Sequence, residues 1–427
     1  MTSRSRLIPL LLIALVLALA GCHTDPAGLD ESESAPALGD KKPPDVEILH
    51  PADGDTVAGT IVIAAEATDK RGVDSVEFFI NGIKEPDATD TVQPFEYEWD
   101  TRSVPSGNLY VLTARATDPS GNSAVSDPIQ VMVINGVSPA EAKVIVLLID
   151  GARYTETFGD PDHTYVPSMW NTLRPMGTTF ADFRNEGVTS TNPGHASVES
   201  GRWEYIANDG SERPAYPTFF EYFRSARGTG ESGNWVVAGK AKLDICTYST
   251  FPAYGSDYRA AGDAVDRDDE ETFQALIGHL QADHPRLALV NFARVDRAGH
   301  SGIWNDYVGA IATADSLVLE LWRFLETDQF YAGTTYLIVT NDHGRHTTDF
   351  TSHGDGCEGC RHLMCLIVGP DIKRGLTITQ THTMLDLCPT IGTIFDIPTP
   401  YAAGTPLHEV FTSSATGIAD AGAAGQR

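Results

Sequence analysis

The sequence predicts two folded units: a small all-β sandwich, then a larger α/β domain whose mostly parallel sheet is sandwiched by helices. Three observations carry this. Between Pro44 and Asn135, apolar and polar residues alternate in short runs separated by turn-forming clusters. Beyond Ala142 the apolar runs are continuous, as in strands buried on both faces. Between two of those runs, Tyr307, Ile311, Ala314, Val318, Leu321, Trp322 and Leu325 recur at helical spacing.

The N-terminus reads as an address. Arg4 and Arg6 precede an apolar run from Leu7 to Leu19, too short for a comfortable membrane span and shaped like a signal peptide. Its Leu19-Ala-Gly-Cys22 ending resembles a bacterial lipobox, which implies lipidation of Cys22 and a chain anchored in the cell envelope. His23 stands where an aspartate would mark inner-membrane retention, so the resemblance favours the outer membrane. Residues 23–43 are rich in Pro, Ser and charge, suited to a flexible tether, and residues 412–427 form a small-residue tail expected to be disordered.

In the first unit (residues 44–135), the expected strands are Val46-Ile48, Thr60-Ala65, Ser75-Ile80, Leu109-Ala116 and Ile129-Ile134, among roughly seven in all. The strand Glu77-Phe78-Phe79, the turn Trp99-Asp100-Thr101 and the segment Ala116-Thr117-Asp118 resemble a bacterial Ig-like domain. The resemblance implies a spacer or binding module, whose partner the sequence does not name. Charge narrows the partners of the whole chain. A net charge of −28 repels phosphate backbones, which argues against nucleic acid except as a small nucleotide substrate.

The second unit (residues 143–411) carries the chemistry. Apolar runs at Val144-Ile149, Leu287-Phe292 and Tyr336-Thr340 lead into Asp150-Gly151, Asp296-Arg-Ala-Gly-His300 and Asn341-Asp342-His343-Gly344. Open α/β sheets bind ligands at the carboxyl ends of their strands, so these loops are expected to converge. Asp and His supply the oxygen and nitrogen ligands of zinc. Thr191-Asn-Pro-Gly-His195 adds a hydroxyl at a helix start, with Pro193 in the first turn, where the backbone favours an anion.

Asp-Gly, Thr-Xaa-Pro-Gly-His, Asp-Xaa₃-His, Asp-His-Gly and Ser352-His353-Gly354, in this order, resemble the alkaline phosphatase superfamily, and most nearly its nucleotide pyrophosphatase/phosphodiesterase branch. The resemblance implies a phosphoester hydrolase with two zinc ions acting on a small phosphoester. Asp150, Thr191, Asp342 and His343 would surround one zinc; Asp296, His300 and His353 would hold the other. Thr191 matches the nucleophile that forms a covalent phospho-threonine, and Asn208 the asparagine that donates to a phosphate oxygen. Phosphomonoesterases and phosphonate hydrolases on the same scaffold are the alternative, with a surface adhesin carrying an inactive hydrolase domain as the non-enzymatic one. Thr191-Asn-Pro-Gly-His195 lacks the Cys/Ser-Xaa-Pro-Xaa-Arg of a formylglycine sulfatase, and a cytoplasmic mutase contradicts the signal peptide.

Other residues keep open readings. Cys357-Xaa-Xaa-Cys360 supplies only half of a tetrahedral zinc site, and in an exported chain it is expected to be a disulfide. Cys246 and Cys388 either pair or stay buried as thiols. His195 supports the phosphate or a metal ligand, or simply packs. Lys240 reaches substrate or is structural, and Arg153 is expected to make a structural ion pair.

Overall fold

The computed structural model describes residues 41–104 and 108–412. The expected signal peptide with Cys22, the expected tether up to residue 40 and the expected tail from residue 413 lie outside the described residues.

Nine strands build the first unit: β1 (Asp45–His50), β2 (Thr56–Val57), β3 (Thr60–Thr68), β4 (Ser75–Ile80), β5 (Ile83–Asp90), β6 (Phe95–Asp100), β7 (Asn108–Thr117), β8 (Ser123–Val125) and β9 (Ile129–Val133). They form two sheets, one ordered β1-β3-β6 and the other β2-β9-β7-β4-β5, with β8 added beside β7. Strict alternation in β4 and β7 turns Val76, Phe78, Ile80, Leu112 and Ala114 inward, where they pack with Trp99. The sequence reading passed over β5 because Ile83-Lys-Glu-Pro-Asp-Ala-Thr-Asp90 is mostly polar. Its pairing with β4 and the burial of Ala88, rather than its composition, make it a strand.

The second unit contains strands β10 (Lys143–Ile149), β11 (Gly177–Phe180), β12 (Phe183–Arg184), β13 (Asn234–Ala238), β14 (Ala261–Ala264), β15 (Leu287–Phe292), β16 (Thr335–Thr340), β17 (His362–Leu363), β18 (Cys365–Val368), β19 (Leu376–Ile378) and β20 (His382–Thr383). Eight of them form one sheet ordered β14-β13-β15-β10-β16-β18-β11-β19. All neighbours are parallel except that β18 runs against both β16 and β11. The expected mostly parallel sheet is therefore present, with one reversed strand. The remaining three form a small sheet ordered β17-β12-β20.

Continuous apolarity in β10 has a direct structural cause. Val144, Val146 and Leu148 enter one core; Ile145, Leu147 and Ile149 enter the other. The helices are α1 (Thr191–Ser200), α2 (Phe219–Arg227), α3 (Asp269–Asp283), α4 (Arg294–His300), α5 (Trp304–Thr327), α6 (Glu358–Arg361) and α7 (Leu387–Phe395). The residues of α5 with helical spacing are all buried, against the Ile145-Leu147-Ile149 face. Truncating any such core leucine to alanine costs about 2–5 kcal/mol. Among the described residues, no helix is long and apolar enough to cross a membrane.

Candidate metal centre

The register of the central strands brings the candidate residues together. Asp150 follows β10, Asp342 follows β16 after Asn341, and α4 starts immediately after β15 and Ala293. These three strands are adjacent, with β10 between the other two. Asp296 and His300 lie within α4 rather than in an irregular loop, so the Asp-Xaa₃-His spacing is one helical turn with both side chains on one face. The start of α4 is fixed by Asp269, whose Oδ1 accepts from Ala293 N at 2.7 Å and Arg294 N at 3.0 Å.

Two groups of ligand atoms result. Asp150, Asp342 and His343 converge in the first, all fully buried. His343 Nε2 is 3.6 Å from Asp150 Oδ1 and 3.5 Å from Asp342 Oδ2. Thr191 Oγ1 lies 3.5 Å from Asp150 Oδ1, at the first residue of α1. In the second group, His353 Nε2 is 3.4 Å and His300 Nε2 3.3 Å from Asp296 Oδ1, with 3.1 Å between the two imidazoles. The seven residues expected from the sequence therefore meet, with His343 lying within reach of Asp296 and His353 as well as of Asp150 and Asp342.

The residues fit divalent cations. Asp342 Oδ2 and His343 Nε2 are buried without a hydrogen-bond partner among the described residues, a costly arrangement that a cation between them would resolve. His343 Nδ1 faces Gly344 O at 2.8 Å, and His353 Nδ1 faces Thr189 O at 3.1 Å. In each ring a carbonyl takes the Nδ1 proton and aims the Nε2 lone pair inward. Burial, followed by the His343 ring, pushes His353 down to about 4, so it is neutral and able to ligate near neutral pH. Burial, then the neighbouring Asp342, raises Asp150, whereas Asp296 lies well below the usual range because His300 and Lys240 outweigh its burial.

The surrounding residues hold these groups in place. Lys240 is buried, with Nζ 2.8 Å from Asp150 Oδ2, 2.6 Å from Asp296 Oδ2 and 3.2 Å from Thr191 Oγ1. It is thus not a surface lysine but a partner of the ligand carboxylates. His195 Nδ1 lies 2.9 Å from Thr191 O and 3.3 Å from Asp342 Oδ2. Asn291 Nδ2 contacts Asp150 Oδ2 at 3.2 Å and His195 Nε2 at 3.0 Å, and the fully buried Arg345 pairs with Asp296 Oδ1 at 2.5 Å. Asn291 and Arg345 were missed from the sequence, where neither spacing nor residue type marks them. Arg153 makes the expected ion pair, to Glu156 at 2.7 Å.

Two glycines in the motifs have steric explanations. A Cβ at Gly194 would lie 2.8 Å from Asp342 O, and one at Gly299 would lie 2.2 Å from Arg345 Cζ. Asn208 is brought to the start of α1, where its Oδ1 accepts from Asn192 N at 2.9 Å and Lys242 Nζ at 3.0 Å. Its Nδ2 remains as a donor.

One expectation is corrected. Cys357 and Cys360 are free thiols with Sγ atoms 3.6 Å apart, well beyond the ~2.05 Å of a disulfide. Cys246 and Cys388 are likewise free and buried.

Comparison with known proteins agrees with this architecture. Residues 44–114 match the family model described as bacterial Ig domain, and residues 260–398 that described as metalloenzyme superfamily. Over 169 residues the chain is 27% identical to a 2,3-bisphosphoglycerate-independent phosphoglycerate mutase of Haloquadratum walsbyi, covering 39% of this chain and 30% of that protein. The chain spans about a third of the length of the curated relatives it matches. Similar solved structures include murine ectonucleotide pyrophosphatase/phosphodiesterase 5, with a TM-score of 0.48 and 13% identity, covering 63% of this chain and 100% of that one. A phosphonate monoester hydrolase from Silicibacter pomeroyi has a TM-score of 0.47 and 15% identity, covering 64% and 77%. Two segments of the chain thus match family models, one of a bacterial Ig domain and one of the metalloenzyme superfamily.

Proposed function

We propose that the protein is a two-zinc phosphoester hydrolase of the phosphodiesterase/nucleotide pyrophosphatase type, with Thr191 as nucleophile. The observation that carries this is the position of Thr191 Oγ1, at a helix start 3.5 Å from Asp150 Oδ1 and 3.2 Å from Lys240 Nζ, which itself bridges to Asp296. Bound zinc would neutralise charge on the transferring phosphoryl group and favour the ionised form of an attacking oxygen.

The chain's own residues supply the rest. Thr191 Oγ1 attacks phosphorus, forming an Oγ1–P bond as the bond to the leaving oxygen breaks. Water then attacks the same phosphorus, releasing phosphate or its monoester and restoring the hydroxyl. At the start of α1, Asn192 N is occupied by Asn208 and Pro193 has no N–H, so Thr191 N–H and Asn208 Nδ2 remain as donors to a phosphoryl oxygen. Lys240 Nζ keeps a positive charge beside the reacting hydroxyl.

The test is the purified, zinc-loaded chain against nitrophenyl monoester, diester, phosphonate and sulfate substrates. Diesters or nucleotide phosphoanhydrides are expected to be preferred. A kcat/KM at least about a hundredfold higher for monoesters would overturn that preference and favour the monoesterase alternative. The mutase names of the curated relatives suggest a second reading, in which a substrate hydroxyl replaces water as acceptor; an isomerised product instead of free phosphate would establish it. We place the protein in the bacterial cell envelope, anchored by lipid at Cys22, on the strength of the Leu19-Ala-Gly-Cys22 ending.

A further inference from the structure

A separate group of ligand atoms lies on the loop following Asp342-His343-Gly344. His346, Asp355 and Cys357 place donor atoms within 4.8 Å of one another. His346 Nε2 is 3.0 Å from Asp355 Oδ2, and Asp355 Oδ1 is 3.2 Å from Cys360 Sγ. The two sulfurs are 3.6 Å apart. Two thiolates bound to one tetrahedral zinc at about 2.3 Å each would be separated by about 3.8 Å, close to what is seen here.

The chemistry of the set also points to a cation. One imidazole, one carboxylate and two sulfurs form a soft, mixed donor set suited to zinc rather than to magnesium or calcium. Without a cation, three groups that are negative when ionised face one another. Cys357 N and Cys360 Sγ both donate to Asp355 Oδ1, at 3.1 and 3.2 Å. Surrounding contacts orient the set as a metal site requires. Thr347 N donates to Cys357 Sγ at 3.3 Å, and His346 Nδ1 lies against Thr348 N at 3.3 Å and Oγ1 at 3.4 Å, so Nε2 is the nitrogen that faces the cluster.

We propose that His346, Asp355, Cys357 and Cys360 form a third, structural cation site that takes zinc or a similarly soft divalent ion. Binding would displace the two thiol protons to solvent and join four ligands to one ion. It would tie residue 346 to residues 355–360, closing the loop that presents His353 to the catalytic centre. Arg153 Nη1 and Gly344 N already anchor this loop, bonded to His346 O and Cys360 O, each at 2.8 Å. The proposal does not depend on the phosphoester reading, since it concerns metal content and not turnover.

Cobalt loading of the full, reduced chain tests it. Ligands of the catalytic centre are oxygens and nitrogens, so a sulfur-to-cobalt charge-transfer band can come only from a cysteine site. Wild type is expected to bind three equivalents and show the band. Cys357→Ser, Cys360→Ser and His346→Ala should each weaken the band, and the double variant Cys357→Ser/Cys360→Ser should lose the band and one equivalent. His353→Ala should lose an equivalent and keep the band. Absence of the band in wild type, or its persistence in the double cysteine variant, overturns the site. If the cysteine variants do not fold, the wild-type spectrum and His346→Ala decide the matter.

Discussion

Lys240 Nζ donates to the Thr191 hydroxyl at 3.2 Å while lying within 2.8 Å of both Asp150 and Asp296. One ammonium thus spans both ligand groups and the proposed nucleophile. In the metal-free protein it offsets the charge of buried carboxylates that zinc would otherwise offset. Lys240→Met should therefore destabilise the metal-free protein by about 3 kcal/mol, and the zinc-loaded protein by much less. Urea unfolding in chelator and in zinc checks this; equal losses in both would show that the lysine has no such role.

Thr191→Ala should lower turnover by about 10⁴-fold or more while keeping the wild-type metal content, because the remaining Asp and His groups still hold both ions. Metal analysis and substrate kinetics on the same preparation decide it. Turnover within about tenfold of wild type would remove Thr191 from the mechanism.

His353→Ala leaves Asp296 and His300 as the ligands of the second group. Bound zinc should fall by one equivalent relative to wild type, and activity by several orders of magnitude, partly recovered at high zinc. Unchanged metal content would take His353 out of the ligand set.

Asp269 gives a pH dependence. Burial, opposed by the N–H groups of Arg294 and Ala293, pushes its carboxyl up to about 6. The folded state therefore binds this proton more tightly than the unfolded state. The resulting stability is fully present below about pH 4 and is lost as pH rises through 6, amounting to about 3 kcal/mol. In metal-free protein, wild type should gain stability over Asp269→Asn by up to that amount between pH 7.5 and pH 4.5. A pH-independent difference between the two proteins would contradict the assignment.

For the envelope anchor, Cys22→Ala should leave the protein soluble or uncleaved. Cell fractionation reads this, and unchanged membrane association would count against lipidation.

Much of the centre was legible because its ligands sit in short motifs at strand ends. Asp150, Asp342 and His343 follow long apolar runs, and the four-residue spacing of Asp296 and His300 survives as a helical turn. Asn291 was illegible for a different reason. It pairs in register with Leu148 of β10, and only that pairing turns its amide toward Asp150. Arg345 reads as an ordinary loop residue until the chain folds its guanidinium beneath Asp296, over a glycine with no room for a Cβ. The cysteine pair was misread because sequence supplied only its two sulfurs; His346 and Asp355 join them through the course of the loop.

The strands carrying the centre, β13, β15, β10 and β16, are consecutive in the sheet, while the edge strands β14 and β19 contribute nothing to it. Amide hydrogen exchange should divide along the same line. Fraying at either edge can occur with the cations in place, so zinc should leave exchange there nearly unchanged. The four inner strands open only in rare, large-scale fluctuations that would also scatter the ligands, and zinc should slow their exchange most. If zinc protects those inner strands, escape of the ions is linked to the slowest breathing of the sheet, and the occupied centre outlives what short ligand-bearing segments alone would hold.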